Sequence, residues 1–229
     1  VHDFHEYVKG LHVFDDEIKE LSLNQEKESI IHADCLTTVS PTLSAALKKD
    51  YKLNEEPTVL YNAPYSSNLN IDYDLTIRKK LNLPVNVDLG VYIGGISEFR
   101  GLHTLIEAMP LVPKLHIALV TETKGKYMDS LIESAKELGC YDRLHIMPYV
   151  DSTEITSFIQ DATFGIHPMI RYGNAEVALP NKLFDYIHSV DSAKLAKKIA
   201  DEQEKLNKKI KIFLQVNIGN EGQKSGIDK

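Results

Sequence analysis

Residues 88–120, DLGVYIGGISEFRGLHTLIEAMPLVPKLHIALV, decide the fold. Asp88–Gly95 is short, apolar and closed by two glycines, the pattern of a buried strand that ends in a turn. Leu102, Leu105, Ile106 and Met109 then recur at helical spacing, and Leu115–Val120 is a second buried run. Strand, turn, helix and strand in this order make a right-handed crossover between parallel neighbours.

The same alternation continues downstream. Met128, Leu131, Ile132, Ala135 and Leu138 predict a helix that Gly139 ends, and Arg143–Tyr149 predicts a strand. Asp151, with Glu154 three residues on, resembles the start of a helix striped by Ile155, Phe158, Ile159 and Ala162; Phe164–Ile170 follows as a strand. Upstream, Gln25–Ala33 and Pro41–Asp50 read as helices and Leu36–Val39 and Thr58–Tyr61 as strands. Beyond residue 188, Leu195, Ile199 and Leu206 line one helix face before the apolar strand Ile210–Ile218. The expectation is an α/β protein, a Rossmann-like parallel sheet with helices on both faces, which takes its ligand beyond the carboxyl ends of the strands. Asn62-Ala63-Pro64 opens a polar stretch and places a boundary there. The organisation expected is a partial first domain over 1–62, a second domain over 63–188 and a helix–strand tail over 189–229.

With 229 residues, 43% of them hydrophobic, a sizeable core is available and disorder is excluded. A balance of 26 basic to 33 acidic residues argues against a surface that neutralises nucleic-acid phosphates. The excess is uneven, since residues 188–229 hold 9 Lys against 6 acids while the remainder is acidic. No apolar run reaches the ~18 residues that span a bilayer and the first ten lack signal-peptide order, so a cytoplasmic location is expected. Cys35 and Cys140, without metal or redox spacing, read as small core residues in a reducing compartment.

The glycines at 94, 95 and 101 have neither dinucleotide-binding nor P-loop spacing. They leave a glycine turn after a strand, then Arg100 and Gly101 opening a helix, where amides and a guanidinium suit a diphosphate. Pro180, at a first helical position in ALPNKLFDY, would leave the amides of Asn181 and Lys182 free for an anion. Each feature also has a plain reading, a tight turn and a capped helix with a solvated lysine. Asp72 and Asp74 suit the first turn of a helix better than a metal, and His2, Asp3, His5 and Glu6 lack metal-ligand spacing. His116, His145 and His167 read as satisfied structural residues.

HDFHEYV at the start, ESIIHADCLTTVSPTLSAALKKDY, VLYNAPY, GGISEFRGLHTLIEAMPLVP, ELGCYDRLHIMPYV and ALPNKLFDYIHS together resemble glycosyltransferase family 4, retaining enzymes of the GT-B architecture, over residues 1–188. The resemblance implies sugar transfer with retention from a nucleotide-sugar donor to a glycan or lipid-linked acceptor, with no metal and no other cofactor. It assigns His5 to the donor sugar in a catalytic role, Arg100 to the diphosphate, Asp185 to the ribose, and Pro180, Asn181 and Lys182 to the sugar and phosphates. The family's earlier glutamate falls on Val177, with Glu176 displaced by one, and a second basic residue falls on Gly95. Residues 186–229 instead resemble an internal segment of the pyridoxal-phosphate homeostasis family, without its cofactor lysine, so the chain reads as a chimera. A truncated transferase, weakly active or inactive, is therefore expected. The alternatives are a non-catalytic nucleotide-binding or structural module and a fragment of a pyridoxal-phosphate-binding protein.

Overall fold

A computed structural model describes residues 1–11, 15–61, 76–122, 124–170, 172–182 and 185–186. The expected tail helix, the strand Ile210–Ile218, the join near 188 and the Asp72–Asp74 pair lie outside these residues. The chain divides into two compact units, one of Val1–Ala63 with Met169–Asn181, the other of Pro64–Pro168 with the described residues from Lys182 on.

The first unit is built on a parallel sheet of β1 (His2–Phe4), β2 (Leu36–Thr38) and β3 (Thr58–Val59), in that spatial order. Helix α1 (Asp16–Ile31) joins β1 to β2, and α2 (Pro41–Tyr51) joins β2 to β3. The Asp15 carboxylate caps α1 by accepting from the Ile18 amide at 2.8 Å, and Asp16 and Glu17 add negative charge to its first turn. Ser40 caps α2 through the Leu43 amide at 3.0 Å, with Pro41 in the first turn. Phe4, Val39, Leu43 and Leu47 form the core. A short helix, α7 (Gly173–Val177), returns to this unit. Asn174 accepts from the Tyr7 amide at 2.8 Å and donates to Glu6, and the Ser40 hydroxyl donates to the Val177 carbonyl. Gly10 and Gly173 meet so closely that a Cβ on Gly173 would stand 2.6 Å from the Gly10 Cα.

The second unit carries the sheet that the sequence foretold. Its strands β4 (Asp88–Ile93), β5 (Leu115–Val120), β6 (Leu144–Met147) and β7 (Phe164–Gly165) are all parallel, in the order β6-β5-β4-β7. Tyr92, Ile117 and Leu119 pack with α4 (Leu102–Ala108) and α5 (Lys126–Glu137) on one face; Leu89, Val91, Ala118 and Val120 pack with α3 (Ile77–Lys80) and α6 (Ile155–Ile159) on the other. Both faces are buried, which is why these strands read as continuous apolar runs rather than alternating ones. The chain moves outward from β4 to β6 and then returns to β7 on the far side of β4. The order therefore reverses at β4, the arrangement that opens a ligand crevice beyond the carboxyl ends. Gly139, with φ of +64°, follows α5 as expected.

Several expectations need correction. Phe164–Ile170 yields only a two-residue strand, because the Tyr186 hydroxyl sits between the neighbours: it accepts from the Ile93 amide and donates to the Ile166 carbonyl, each at 3.0 Å. Pro168 then has no N–H to extend the ladder. Asp151 stands at the start of this helical turn as read, its carboxylate accepting from the Thr153 amide and hydroxyl and its carbonyl from the Glu154 and Ile155 amides, although regular α6 begins only at Ile155 with Glu154 ahead of it. Pro180 precedes rather than opens helical backbone, which starts at Lys182 after a turn at Asn181. Cys140 is buried, but Cys35 is exposed; both are free thiols. Among the described residues no helix is long and apolar enough to cross a membrane.

Candidate functional site

The site is assembled at the carboxyl end of β4. The chain leaves the strand through Gly94, whose φ of +110° is strained for any residue with a side chain, and whose amide donates to the Val120 carbonyl at 3.0 Å. Tyr92 is fully buried, and its hydroxyl donates to the Gly95 carbonyl at 2.7 Å, fixing the turn from beneath. A one-turn 3-10 helix, Glu98–Arg100, presents Arg100, and Gly101 at φ of +69° redirects the chain into α4.

Lys182 reaches this turn from another element. Its Nζ lies 4.1 Å from the centroid of the Tyr92 ring and 3.6 Å from where a Cβ on Gly94 would stand. A cation over an aromatic face is worth about 0.5–2 kcal/mol, the larger value when water is excluded. Burial, and next the Arg100 guanidinium, pull the Lys182 ammonium down to about 8. Neither cation is paired with a carboxylate among the described residues. Two adjacent positive groups, one of them desolvated, raise each other's cost until an anion joins them.

His167 belongs to the same neighbourhood and contradicts its reading as a satisfied residue. Its Nδ1 is buried without a hydrogen-bond partner, and burial, Lys182 and Arg100 together pull the imidazole down to about 4. By contrast, His116 and His145 do satisfy each other, Nδ1 to Nε2, at 2.9 Å.

Of the residues assigned by resemblance, Arg100 and Lys182 come together in the second unit. Asp185 is half-buried and close enough to influence the Tyr186 hydroxyl. His5, Pro180 and Asn181 belong to the first unit. His5 follows β1, and its Nε2 is 2.7 Å from the Asp3 carboxylate, which also accepts from the Thr37 hydroxyl at 2.6 Å. Sequence reasoning missed Tyr92 and His167. Tyr92 had a signal, an aromatic residue just ahead of a glycine pair, whereas the orphaned nitrogen of His167 had none.

No family model and no curated protein matches the chain. Among solved structures it is similar to the sucrose-phosphate synthase of Thermosynechococcus elongatus, at 20% identity and a TM-score of 0.64 over 82% of this chain and 48% of that one. A glycosyltransferase from Rickettsia africae ESF-5 matches at 16% identity and a TM-score of 0.54, over 87% of this chain and 63% of that one. HepE of Anabaena, whose structure is a complex with UDP and glucose, matches at 17% identity and a TM-score of 0.53, over 68% and 44%. The chain thus spans less than two thirds of the length of each of these proteins. The architecture they share with it is the GT-B-like one of glycosyltransferases, parallel α/β sheets flanked by helices.

Proposed function

We propose that the second unit binds the diphosphate of a nucleotide-sugar donor, and that the activity it serves is sugar transfer with retention, of the family 4 type. The observation that carries this reading is Lys182, a lysine drawn out of water onto the ring of Tyr92, beside Arg100 and a glycine turn, with no carboxylate to balance it among the described residues. A diphosphate supplies the missing charge, its oxygens meeting the Arg100 guanidinium and the Lys182 ammonium held over Tyr92. The binding of UDP by a protein of similar fold supports the choice of ligand class.

The chemistry that this arrangement serves is departure of the nucleoside diphosphate from the anomeric carbon. Negative charge grows on the leaving oxygen as the glycosidic bond breaks, and cations already in place stabilise it without reorganising. One well-aimed donor of this kind is worth about 3 kcal/mol of barrier. Asp185 accepts from the ribose hydroxyls, the Asn181 and Lys182 amides serve the phosphates, and His5 serves the sugar; these roles rest on the resemblance.

The test is transfer from UDP-glucose and ADP-glucose to a panel of glycan and lipid-linked acceptors, with product anomers read by proton NMR. An α-linked product from an α-linked donor supports the proposal. A β-linked product removes retention, and a chain that binds the diphosphate but never transfers sugar is the nucleotide-binding module instead.

A further inference from the structure

Diphosphate binding calls for a charged lysine, yet Lys182 is held where part of that charge is given up. Its Nζ lies 4.1 Å from the centroid of the fully buried Tyr92 ring, and no carboxylate among the described residues pairs with it. Gly94 leaves the amine open on one side. Apart from its chain neighbours, a Cβ built there would have only Lys182 Nζ, at 3.6 Å, and Lys182 Cε, at 3.9 Å, within 4 Å. Both residues are half-buried, so neither is sealed from solvent. A carbon that enters this space meets the amine at van der Waals contact, close to the separation of about 3–3.5 Å from which reacting atoms start.

An ammonium is no nucleophile, whereas the uncharged amine is one. Burial, and next Arg100, bring Lys182 down to about 8, so at pH 7.5 roughly a quarter of it is uncharged, against about a thousandth of an ordinary lysine. A lower pKa also weakens the lone pair, which by the slope that thiols follow removes about tenfold of this gain. An advantage of about tenfold over an exposed lysine remains. The reagent that suits such an amine carries a phosphate, because the turn beside it suits phosphate oxygens, and next to the phosphate an acyl carbon, which amines attack.

We propose that Lys182 is an acylation site, and that its acyl donor is a small acyl phosphate whose phosphate occupies the turn at Gly94 while its acyl carbon enters the space beside Nζ. This rests on the reading of that turn as a phosphate site. In the step, the Nζ lone pair forms a C–N bond to the acyl carbon, the C–O bond to phosphate breaks with its electron pair, and the proton shed by nitrogen goes to the departing phosphate. The amide that results has no charge and makes no cation–π contact with Tyr92. Acylation therefore switches the diphosphate site off, and a bound nucleoside diphosphate in turn shields the amine.

The test treats the full, unsubstituted chain with acetyl phosphate, with and without UDP. After unfolding, deuterated acetic anhydride caps the lysines that remain, and mass spectrometry reads the two labels at each position. Lys182 should react about a hundredfold faster than exposed Lys114, tenfold from its uncharged fraction and tenfold from the held phosphate. With p-nitrophenyl acetate, which brings no phosphate, the preference should fall to about tenfold. Saturating UDP should slow Lys182 at least tenfold and leave Lys114 unchanged, and chain acetylated at Lys182 should lose most of its affinity for UDP. Similar rates at Lys182 and Lys114, or one and the same preference with both reagents, would overturn the proposal. UDP binding without selective acetylation removes the acyl site and leaves the diphosphate reading standing. Selective, phosphate-dependent acetylation in a chain that fails to bind UDP supports the acyl site and removes the diphosphate reading.

Discussion

Lys182 Nζ sits 4.1 Å above the centroid of the Tyr92 ring, while the hydroxyl of that same ring holds the Gly95 carbonyl at 2.7 Å. One buried side chain thus positions both the lysine and the glycine turn. Since burial and Arg100 bring the Lys182 ammonium down to about 8, its charge is present below that pH and lost above it. Affinity for UDP should therefore fall as pH rises from 7 to 9.5, with its midpoint near 8. Lys182→Met should bind UDP about 10 to 100 times more weakly at pH 7, the worth of a desolvated charge-assisted contact, and should flatten the profile. Titrations across that pH range check both outcomes.

The β4–α4–β5 crossover was legible because its strands are buried on both faces and its helix has a clean stripe; Leu115–Val120 is observed as expected. Helix α1 was legible only in its second half. In residues 16–25, Ile18, Leu21 and Leu23 form no buried stripe, Ile18 and Leu21 being exposed, and it is the Asp15 cap that marks the helix start. Strand β7 was overestimated because Tyr186, more than twenty residues from Phe164, takes the ladder position. Arg100 and Lys182 were found as separate motifs, but nothing in a linear pattern places Lys182 on Tyr92. That contact belongs to the tertiary fold.

Gly165 tests the packing behind the site. A Cβ there would stand 2.1 Å from the Tyr186 ring, well inside van der Waals contact, and Tyr186 is locked by two hydrogen bonds. Gly165→Ala should destabilise the second unit by about 1–3 kcal/mol, the usual cost of overpacking. Urea denaturation read by tyrosine fluorescence would show a lower midpoint.

The histidine pair on β5 and β6 predicts a pH dependence of stability. Burial first, then Arg143 for His116 and the charge of His116 for His145, hold both imidazoles below their ordinary value; Arg78 acts in the same direction on His116, and Asp142 opposes. The unfolded chain takes up protons at these sites at higher pH than the folded one. Stability is thus complete above the ordinary histidine value of about 6.5 and declines as pH falls through it towards the lower folded values. Thermal midpoints of the native chain should drop more between pH 7 and 5 than those of His116→Gln/His145→Gln. An equal drop would contradict the assignment.

Glu26 makes the opposite prediction. Burial raises its carboxyl pKa, although the Tyr51 hydroxyl donates to it and works in the other direction. An acid raised on folding costs stability once ionised, so the cost is present at neutral pH, shrinks as pH falls through the raised folded value and is gone below the ordinary value of about 4.5. Glu26→Gln keeps an acceptor for Tyr51 and removes the buried charge. Its thermal midpoint at pH 7 should rise by a few degrees, and the gain should vanish in acid.

The central claim is that Arg100 and Lys182 form a diphosphate site at the carboxyl end of β4, and calorimetric titration of UDP against uridine tests it most directly. The account predicts that UDP binds at least tenfold more tightly than uridine, that Arg100→Ala and Lys182→Ala each erase most of that preference, and that uridine affinity is unchanged in both. Equal affinities for UDP and uridine, or a preference for UDP that survives Arg100→Ala, would contradict it.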